Sequence, residues 1–173
     1  IWGVTFDENL NDEMQVTVIA TGFDADRAYR YMVASSVYEK QNGVPYVLEK
    51  CYIPCDKVRE ATSIAMEYAA DDWGIALMAK KMGKTEDYQN YLKRGKYYTQ
   101  YFDKDINFIR PKMNDGSWRT PYDPIQSIHS VGDFCEGNGW HYTFFVPQHP
   151  EGLIELMGGD APFISKLDSL FLV

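Results

Sequence analysis

The stretch KVREATSIAMEYAADDWGIALMAKKM, residues 57–82, decides the fold. Val58, Ala61, Ile64, Ala65, Tyr68, Ala69, Asp72, Ile75, Ala76 and Ala79 recur at spacings of three and four and fall close to one stripe. That period belongs to a helix with one apolar face, and this is the strongest such pattern in the chain. Pro54 and Asp56 introduce it, and Gly83 supplies the stop. Asp72 and Trp73 interrupt the stripe with a polar group and a large ring. Such a carboxylate can face a substrate or tie two helices together; buried carboxylates are usually paired, which favours the tie.

Working outward, Asp24 caps a helix expected over residues 25–40, with Ala28, Tyr31, Met32, Ser35 and Tyr38 on its inner face. Gln41-Asn42-Gly43 ends it, and Val44-Pro45 predicts an extended or turn conformation. On the other side, Thr85 caps a helix over residues 86–102. Its stripe of Tyr88, Tyr91, Leu92, Gly95, Tyr98 and Phe102 reads as core rather than as a sugar platform. Residues 103–139 are irregular, with Asn114-Asp115-Gly116 as a turn and Pro111, Pro121 and Pro124 as breakers. Phe108, Trp118, Tyr122 and Ile125 mark that segment as a packed, functional loop. Helices resume near residues 139–146 and 150–157, and Asp160 caps a last one with Phe163, Leu167, Leu170 and Phe171 inward. Helices separated by loops, each with one apolar stripe, imply a mainly α fold packed helix on helix.

Residues 1–22 differ. Ile1, Trp2, Val4 and Phe6 form a β-rich run, residues 7–12 a polar turn, and Gln15 to Ala20 an alternating β-branched run. They read as a short N-terminal β-hairpin, which needs a covering surface to be stable.

At 173 residues the chain fits one domain with a real core. Hydrophobic content of 45% and charged content of 24% are ordinary for a globular protein. No apolar run approaches the roughly 18–20 residues that span a bilayer. Ile1-Trp2-Gly3-Val4 carries no signal-peptide pattern, and the absent initiator Met points to a processed, trimmed or excised chain. A net charge of −8 argues against nucleic acid and anionic membranes as partners. Cys51, Cys55 and Cys135 are odd in number, so at least one thiol is free or pairs between chains. Neither Cys51-x-x-x-Cys55 nor the histidines His129, His141 and His149 have zinc-site spacing, so no metal ligands are expected.

The candidate site is Gly132-Asp133-Phe134-Cys135-Glu136-Gly137-Asn138-Gly139-Trp140-His141-Tyr142. Glu136 lies among glycines and aromatics, with Asp133 and His141 as further proton carriers nearby. A carboxyl held against flat apolar walls has its charged form disfavoured, as a general acid for glycoside cleavage requires. The alternative is a buried turn whose Glu accepts backbone N–H bonds.

This stretch, followed by Phe145-Val146-Pro147 and by Glu151-Gly152-Leu153-Ile154-Glu155-Leu156-Met157-Gly158-Gly159, closely resembles glycoside hydrolase family 92, whose members are exo-acting α-mannosidases. The likeness continues through Gly43-Val44-Pro45-Tyr46, Tyr52-Ile53-Pro54, Glu67 to Trp73 and Ile109-Arg110-Pro111, and covers about residues 24–173. The resemblance implies part of an (α/α)6 toroid, with exposed helix faces that promote self-association. It implies Glu136 as general acid, Trp140 and His141 as substrate contacts, and a mannose-containing glycan as partner. It further implies calcium as cofactor and a secreted or periplasmic setting. The family inverts, which takes an acid and a base about 6.5–9.5 Å apart. Its base and calcium segment belong to an Asn-Asp-Asp-type motif downstream that this chain does not reach, so weak or no activity is expected in isolation. Separately, Ile1-Trp2-Gly3-Val4, Asp12-Glu13 and Val16 to Phe23 resemble the last strands of the C-terminal domain of FtsZ, the bacterial tubulin-like division GTPase. That likeness implies a chimera joined near Phe23 and Asp24.

Two other classes follow from the same features. A non-catalytic helical sugar-binding or structural module would bind mannose without turnover. An FtsZ-associated polymer element would co-pellet with filaments and ignore mannose.

Overall fold

The computed structural model describes residues 24–172, so the expected N-terminal β-hairpin lies outside the described residues. The elements in order are α1 (Ala25–Ser36), α2 (Val44–Lys50), α3 (Ala61–Lys81), α4 (Thr85–Arg94), β1 (Phe102–Asp103), β2 (Phe108–Ile109), α5 (Gly139–Thr143), α6 (Pro150–Met157) and α7 (Asp160–Leu170). A 3-10 helix, Tyr97–Tyr101, joins α4 to β1. β1 and β2 pair antiparallel with Phe102 opposite Ile109, and this ribbon is the one sheet among the described residues. The fold is mainly α, as the helical periodicity requires.

Helix α3 is the spine. Its stripe is buried from Ala61 to Ala79 except at Ile64 and Tyr68, which are half-buried, and Ala69, Ala76 and Ala79 let α1 and α4 approach closely. The helix begins at Ala61 rather than Lys57, and a distant segment binds the N–H groups at its start. Glu60 N donates to the Gly132 carbonyl at 2.9 Å, and Thr62 N to the Asp133 carbonyl at 3.2 Å. Glu60 adopts a left-handed φ of 52° at this junction.

Asp24 caps α1 by accepting from Arg27 N at 2.9 Å. The inner face, however, is centred on Tyr29 rather than on Tyr31 and Tyr38, which are exposed. The Tyr29 hydroxyl donates to Asp87 at 2.6 Å, and this polar anchor across to α4 sets the helix rotation. Residues 44–50 are helical, against the extended reading, because Pro45 stands in the first turn, where an N–H has no helical partner to lose.

Helix α4 ends at Arg94, well short of Phe102. At Gly95 the backbone lies so close to α3 that a Cβ would stand 3.0 Å from Trp73 Cε3 and 3.2 Å from the Ala69 carbonyl oxygen. The chain then tightens into the 3-10 turn that buries Tyr98 and Tyr101. Thr85 is the first helical residue and not the cap, which is Lys84. Helix α6 spans the expected residues. In α7 the cap is Gly159 rather than Asp160, Phe163 meets Phe144 edge-on at 5.9 Å, and Phe171 is exposed rather than inward.

The main core gathers Ile53, Met66, Tyr98, Tyr101, Ile109 and Val146 between α3, the 3-10 turn and the C-terminal loops. A second cluster, Tyr29, Ile75, Ala76, Ala79 and Tyr91, joins α1, α3 and α4. Large apolar side chains stay bare on α1 (Tyr31) and α3 (Leu77), on α7 (Ile164) and just beyond it (Phe171). No described helix is long and apolar enough to cross a membrane.

Candidate active site

The Gly132–Tyr142 turn docks on the N-terminal end of α3 through backbone bonds. Besides the two carbonyls already described, Cys135 N donates to Ser63 Oγ at 2.7 Å. The Phe134 ring is buried and stacks on Tyr142 at 5.4 Å, whose hydroxyl donates to the Cys135 carbonyl at 2.9 Å. Residues 132–135 are thereby fixed on both sides. Glu136 comes next in a left-handed conformation, φ 48°, with its side chain on the surface. The carboxylate is exposed, and among the described residues it makes no hydrogen bond or ion pair. The aromatic walls expected from the sequence instead hold the backbone: Tyr142 points beneath the turn, and Phe134 is core.

Asn138 begins α5. Its Oδ1 accepts from Trp140 N at 3.0 Å and His141 N at 3.2 Å, while His141 Nδ1 accepts from Asn138 N at 3.2 Å. This reciprocal cap makes Nδ1 an acceptor and leaves the exposed edge of the His141 ring, with Nε2, to solvent. Asn138-x-x-His141 has the spacing of a capping box, so this role was present in the sequence. Gly139 is required by close approach: a Cβ there would collide with the Tyr122 hydroxyl, which donates to the Ile109 carbonyl at 2.9 Å.

Trp140 is half-buried. Its ring meets Phe108 edge-on at 4.8 Å, and the Lys166 ammonium lies 4.5 Å from its centroid and 3.2 Å from that of Phe108. Burial pushes the Lys166 amine down to about 8, although the two ring faces favour its charged form. The structure therefore brings Glu136 and His141 to the surface of one turn and packs Trp140 against α7.

Asp133 pairs with Arg119. Its Oδ2 lies 2.7 Å from Arg119 Nε, a close ion pair whose N–H is not aligned as a hydrogen bond. Arg119 also donates through Nη2 to the Cys55 carbonyl at 2.9 Å. Burial pushes the Asp133 carboxyl up and Arg119 opposes the shift. Asp133 thus ties the turn to the long loop instead of serving as a free proton carrier. The loop itself is held by Arg110, which donates to Asp103 at 2.9 Å and to the Arg119 carbonyl.

Three acidic groups surround Cys135, and the sequence motif named only one of them. Desolvation pushes the Cys135 thiol up, and the Glu60, Glu136 and Glu67 carboxylates push the same way. Glu60, Ser63 and Glu67 stand at helical spacing along one edge of α3, a signal the apolar stripe had masked. Glu60, His129 and Cys135 also bring one potential ligand atom each within 4.8 Å of one another. Calcium takes six to eight oxygen ligands, and a set of one carboxylate, one imidazole and one thiol does not fit it.

The glycosyl hydrolase family 92 catalytic domain profile matches residues 3–173, so the match also takes in residues before Asp24. Among solved structures, the family 92 α-mannosidase BT3965 from Bacteroides thetaiotaomicron superposes with a TM-score of 0.82 at 38% identity, over 88% of this chain and 20% of that one. Its complex with mannoimidazole gives 0.84 at 37% identity. The family 92 inverting mannosidase BT2199 from the same organism gives 0.79 at 34% identity, over 85% of this chain and 20% of that one. An uncharacterized secreted glycosidase of Arthroderma benhamiae is 26% identical over 69% of this chain and 18% of its own length. The chain spans about a fifth of the length of these relatives.

Proposed function

The chain belongs to glycosyl hydrolase family 92, and we propose that it forms the part of an exo-acting, inverting α-mannosidase catalytic domain that carries the general acid, Glu136. The observation that carries this reading is the contrast at the turn: a backbone pinned by Ser63, Tyr142 and the α3 N-terminus presents an exposed carboxylate with no partner among the described residues. A backbone held this firmly fixes where the carboxyl stands, and position is the first requirement for proton delivery to a leaving glycosidic oxygen.

In this reading Glu136 protonates the oxygen between the terminal mannose and the next residue of the glycan. His141, oriented by its bond to Asn138 N, offers its Nε2 edge to a sugar hydroxyl, and Trp140 offers the part of its ring that Lys166 and Phe108 leave open. Inversion requires a second carboxylate to activate water on the opposite face of the sugar. Asp133 is spent on Arg119 and does not serve. Calcium, implied by family membership, would supply an electrophilic contact to sugar oxygens. The Glu60, His129 and Cys135 donors do not suit it, and no step here passes through it. The bare apolar faces of α1 and α7 are packing faces for further helices of the toroid. A secreted or periplasmic location fits the secreted relative.

The test is release of mannose from α-1,2-linked mannobiose, with calcium and with a chelator, followed by the anomeric form of the product. Calcium-dependent release of the β-anomer, reduced about 100-fold or more in Glu136→Gln with unchanged folding, supports the assignment. Turnover that survives Glu136→Gln overturns it. If the isolated chain folds but does not turn over, calorimetric titration with mannoimidazole separates an acid-bearing part of the site from a module that ignores the sugar.

A further inference from the structure

We propose that Glu60, His129 and Cys135 form a site for a divalent transition-metal ion of the zinc type, distinct from any calcium requirement of the family and independent of the assignment of Glu136. The three side chains come from separate segments: the residue before α3, the loop that follows Pro124, and the candidate turn. One ligand atom of each lies within 4.8 Å of the others, and His129 Nδ1 is 3.9 Å from Glu60 Oε1. Zinc bonds of about 2.0–2.2 Å to nitrogen and oxygen and about 2.3 Å to sulfur place tetrahedral ligands roughly 3.5 Å apart. Side-chain rotation of little more than an ångström therefore closes the set.

The backbone around the three ligands is already tied together. Ser130 N donates to Glu60 Oε1 at 3.0 Å, Gly132 N to the Ile128 carbonyl at 2.9 Å, and Glu60 N to the Gly132 carbonyl at 2.9 Å. Cys135 is held from α3 by Ser63. The ligands span a useful range of access, since the His129 side chain is 65% exposed and that of Glu60 is 21% exposed. An ion can enter from solvent and keep a fourth position for water.

The chemistry of the donors selects the ion. Imidazole and thiolate are borderline to soft ligands, which suit zinc, cobalt or copper and not calcium or magnesium. The Glu67 and Glu136 carboxylates nearby add negative charge that draws a cation toward Cys135. Binding replaces the thiol proton by the metal, so one proton leaves the cysteine for solvent as the sulfur–metal bond forms. The ion would lock the His129 loop to α3 and place two positive charges one residue from Glu136.

The experiment titrates the 173-residue chain with zinc by calorimetry and by competition with a chromophoric chelator, then repeats it with cobalt while watching for thiolate-to-metal charge-transfer absorption. The expected result is a single equivalent bound, a cobalt–thiolate band, and no competition from calcium. Cys135→Ala and His129→Ala should each weaken zinc binding by at least about tenfold and remove the band in the cysteine case. Cys51→Ala should leave both unchanged. All three are read against circular dichroism, so that a loss of fold is seen directly. No saturable zinc binding by the folded chain, or binding that is the same in Cys135→Ala and His129→Ala, overturns the proposal.

Discussion

Arg94 Nε donates to Asp72 Oδ2 at 2.8 Å, and the same guanidinium donates through Nη2 to the Ser36 carbonyl at 2.9 Å. One buried cation therefore joins α3, α4 and the end of α1. Asp72 is 2% exposed and Arg94 is 6% exposed, so both charges are largely withdrawn from bulk solvent. The pair closes the floor of a cavity of about 310 Å³ between α1, α2 and α3, with Tyr68 and Asp71 on its wall.

Removing Arg94 tests how that charge is held. Burial pushes the Asp72 carboxyl up to about 6, with Arg94 opposing the shift. The folded chain keeps this proton to about pH 6, whereas the unfolded chain releases it near about pH 3.9. Folded protein thus binds more protons in that window, and the Asp72 contribution to stability falls as pH rises through it. Arg94→Met takes away the opposing cation and extends the window upward. It should cost about 3–5 kcal/mol at neutral pH. The deficit should shrink near pH 5, where Asp72 is neutral. Urea midpoints at both pH values check this, and an equal deficit at each would show that Asp72 is not the titrating group.

Gly95→Ala should loosen the α3–α4 contact. The new methyl meets Trp73 Cβ at 3.1 Å and the Ala69 carbonyl at 3.2 Å, both on a helix that cannot give way freely. Overpacking of this kind costs about 1–3 kcal/mol, in spite of the better helix propensity of alanine. Thermal unfolding of the variant should show a lower midpoint, and a higher one would contradict the packing argument.

Tyr101→Phe should destabilise although it removes a single oxygen. The Tyr101 hydroxyl accepts from Ile53 N at 2.6 Å and donates to the Ile53 carbonyl at 3.2 Å, all within the core. The variant leaves two buried backbone groups without partners, a loss of about 1–3 kcal/mol. Denaturant titration reads the loss, and the amide of Ile53 should lose its hydrogen-exchange protection more than the amides of α6.

Asn138→Ala should free the turn that carries Glu136. It removes the acceptor for Trp140 N and His141 N, at a cost of about 1 kcal/mol. Asn138→Asp keeps the acceptor and should recover most of that loss. If alanine and aspartate behave alike in urea titrations, the cap does not hold α5.

Much of the helical frame was legible because its signals are local. The period from Ala61 to Ala79 and the Pro150–Met157 helix depend on side chains a few residues apart; α6 falls where that signal puts it, and α3 does so apart from its first turn, which starts at Ala61 rather than Lys57. The Asp24 cap is of the same kind. The need for glycine at position 95 was not legible, because it depends on Trp73 from another helix filling the space of a Cβ. The rotation of α1 likewise depends on Asp87, far along the chain, and not on its own apolar pattern.

The candidate turn divides in the same way. Sequence alone determined its membership of one motif: a carboxylate at Glu136, Asp133 and His141 close to it, and aromatics close by. Only tertiary structure decided what each group does. Phe134 and Tyr142 became supports because the core lies beneath them, Asp133 was taken by Arg119, and Trp140 was covered by Lys166. Glu60, His129 and Cys135 meet only because the turn docks on the first N–H groups of α3. Periodicity reports which face of an element is apolar, whereas charge pairing and ligand convergence depend on which elements come to face one another, and that is set by packing.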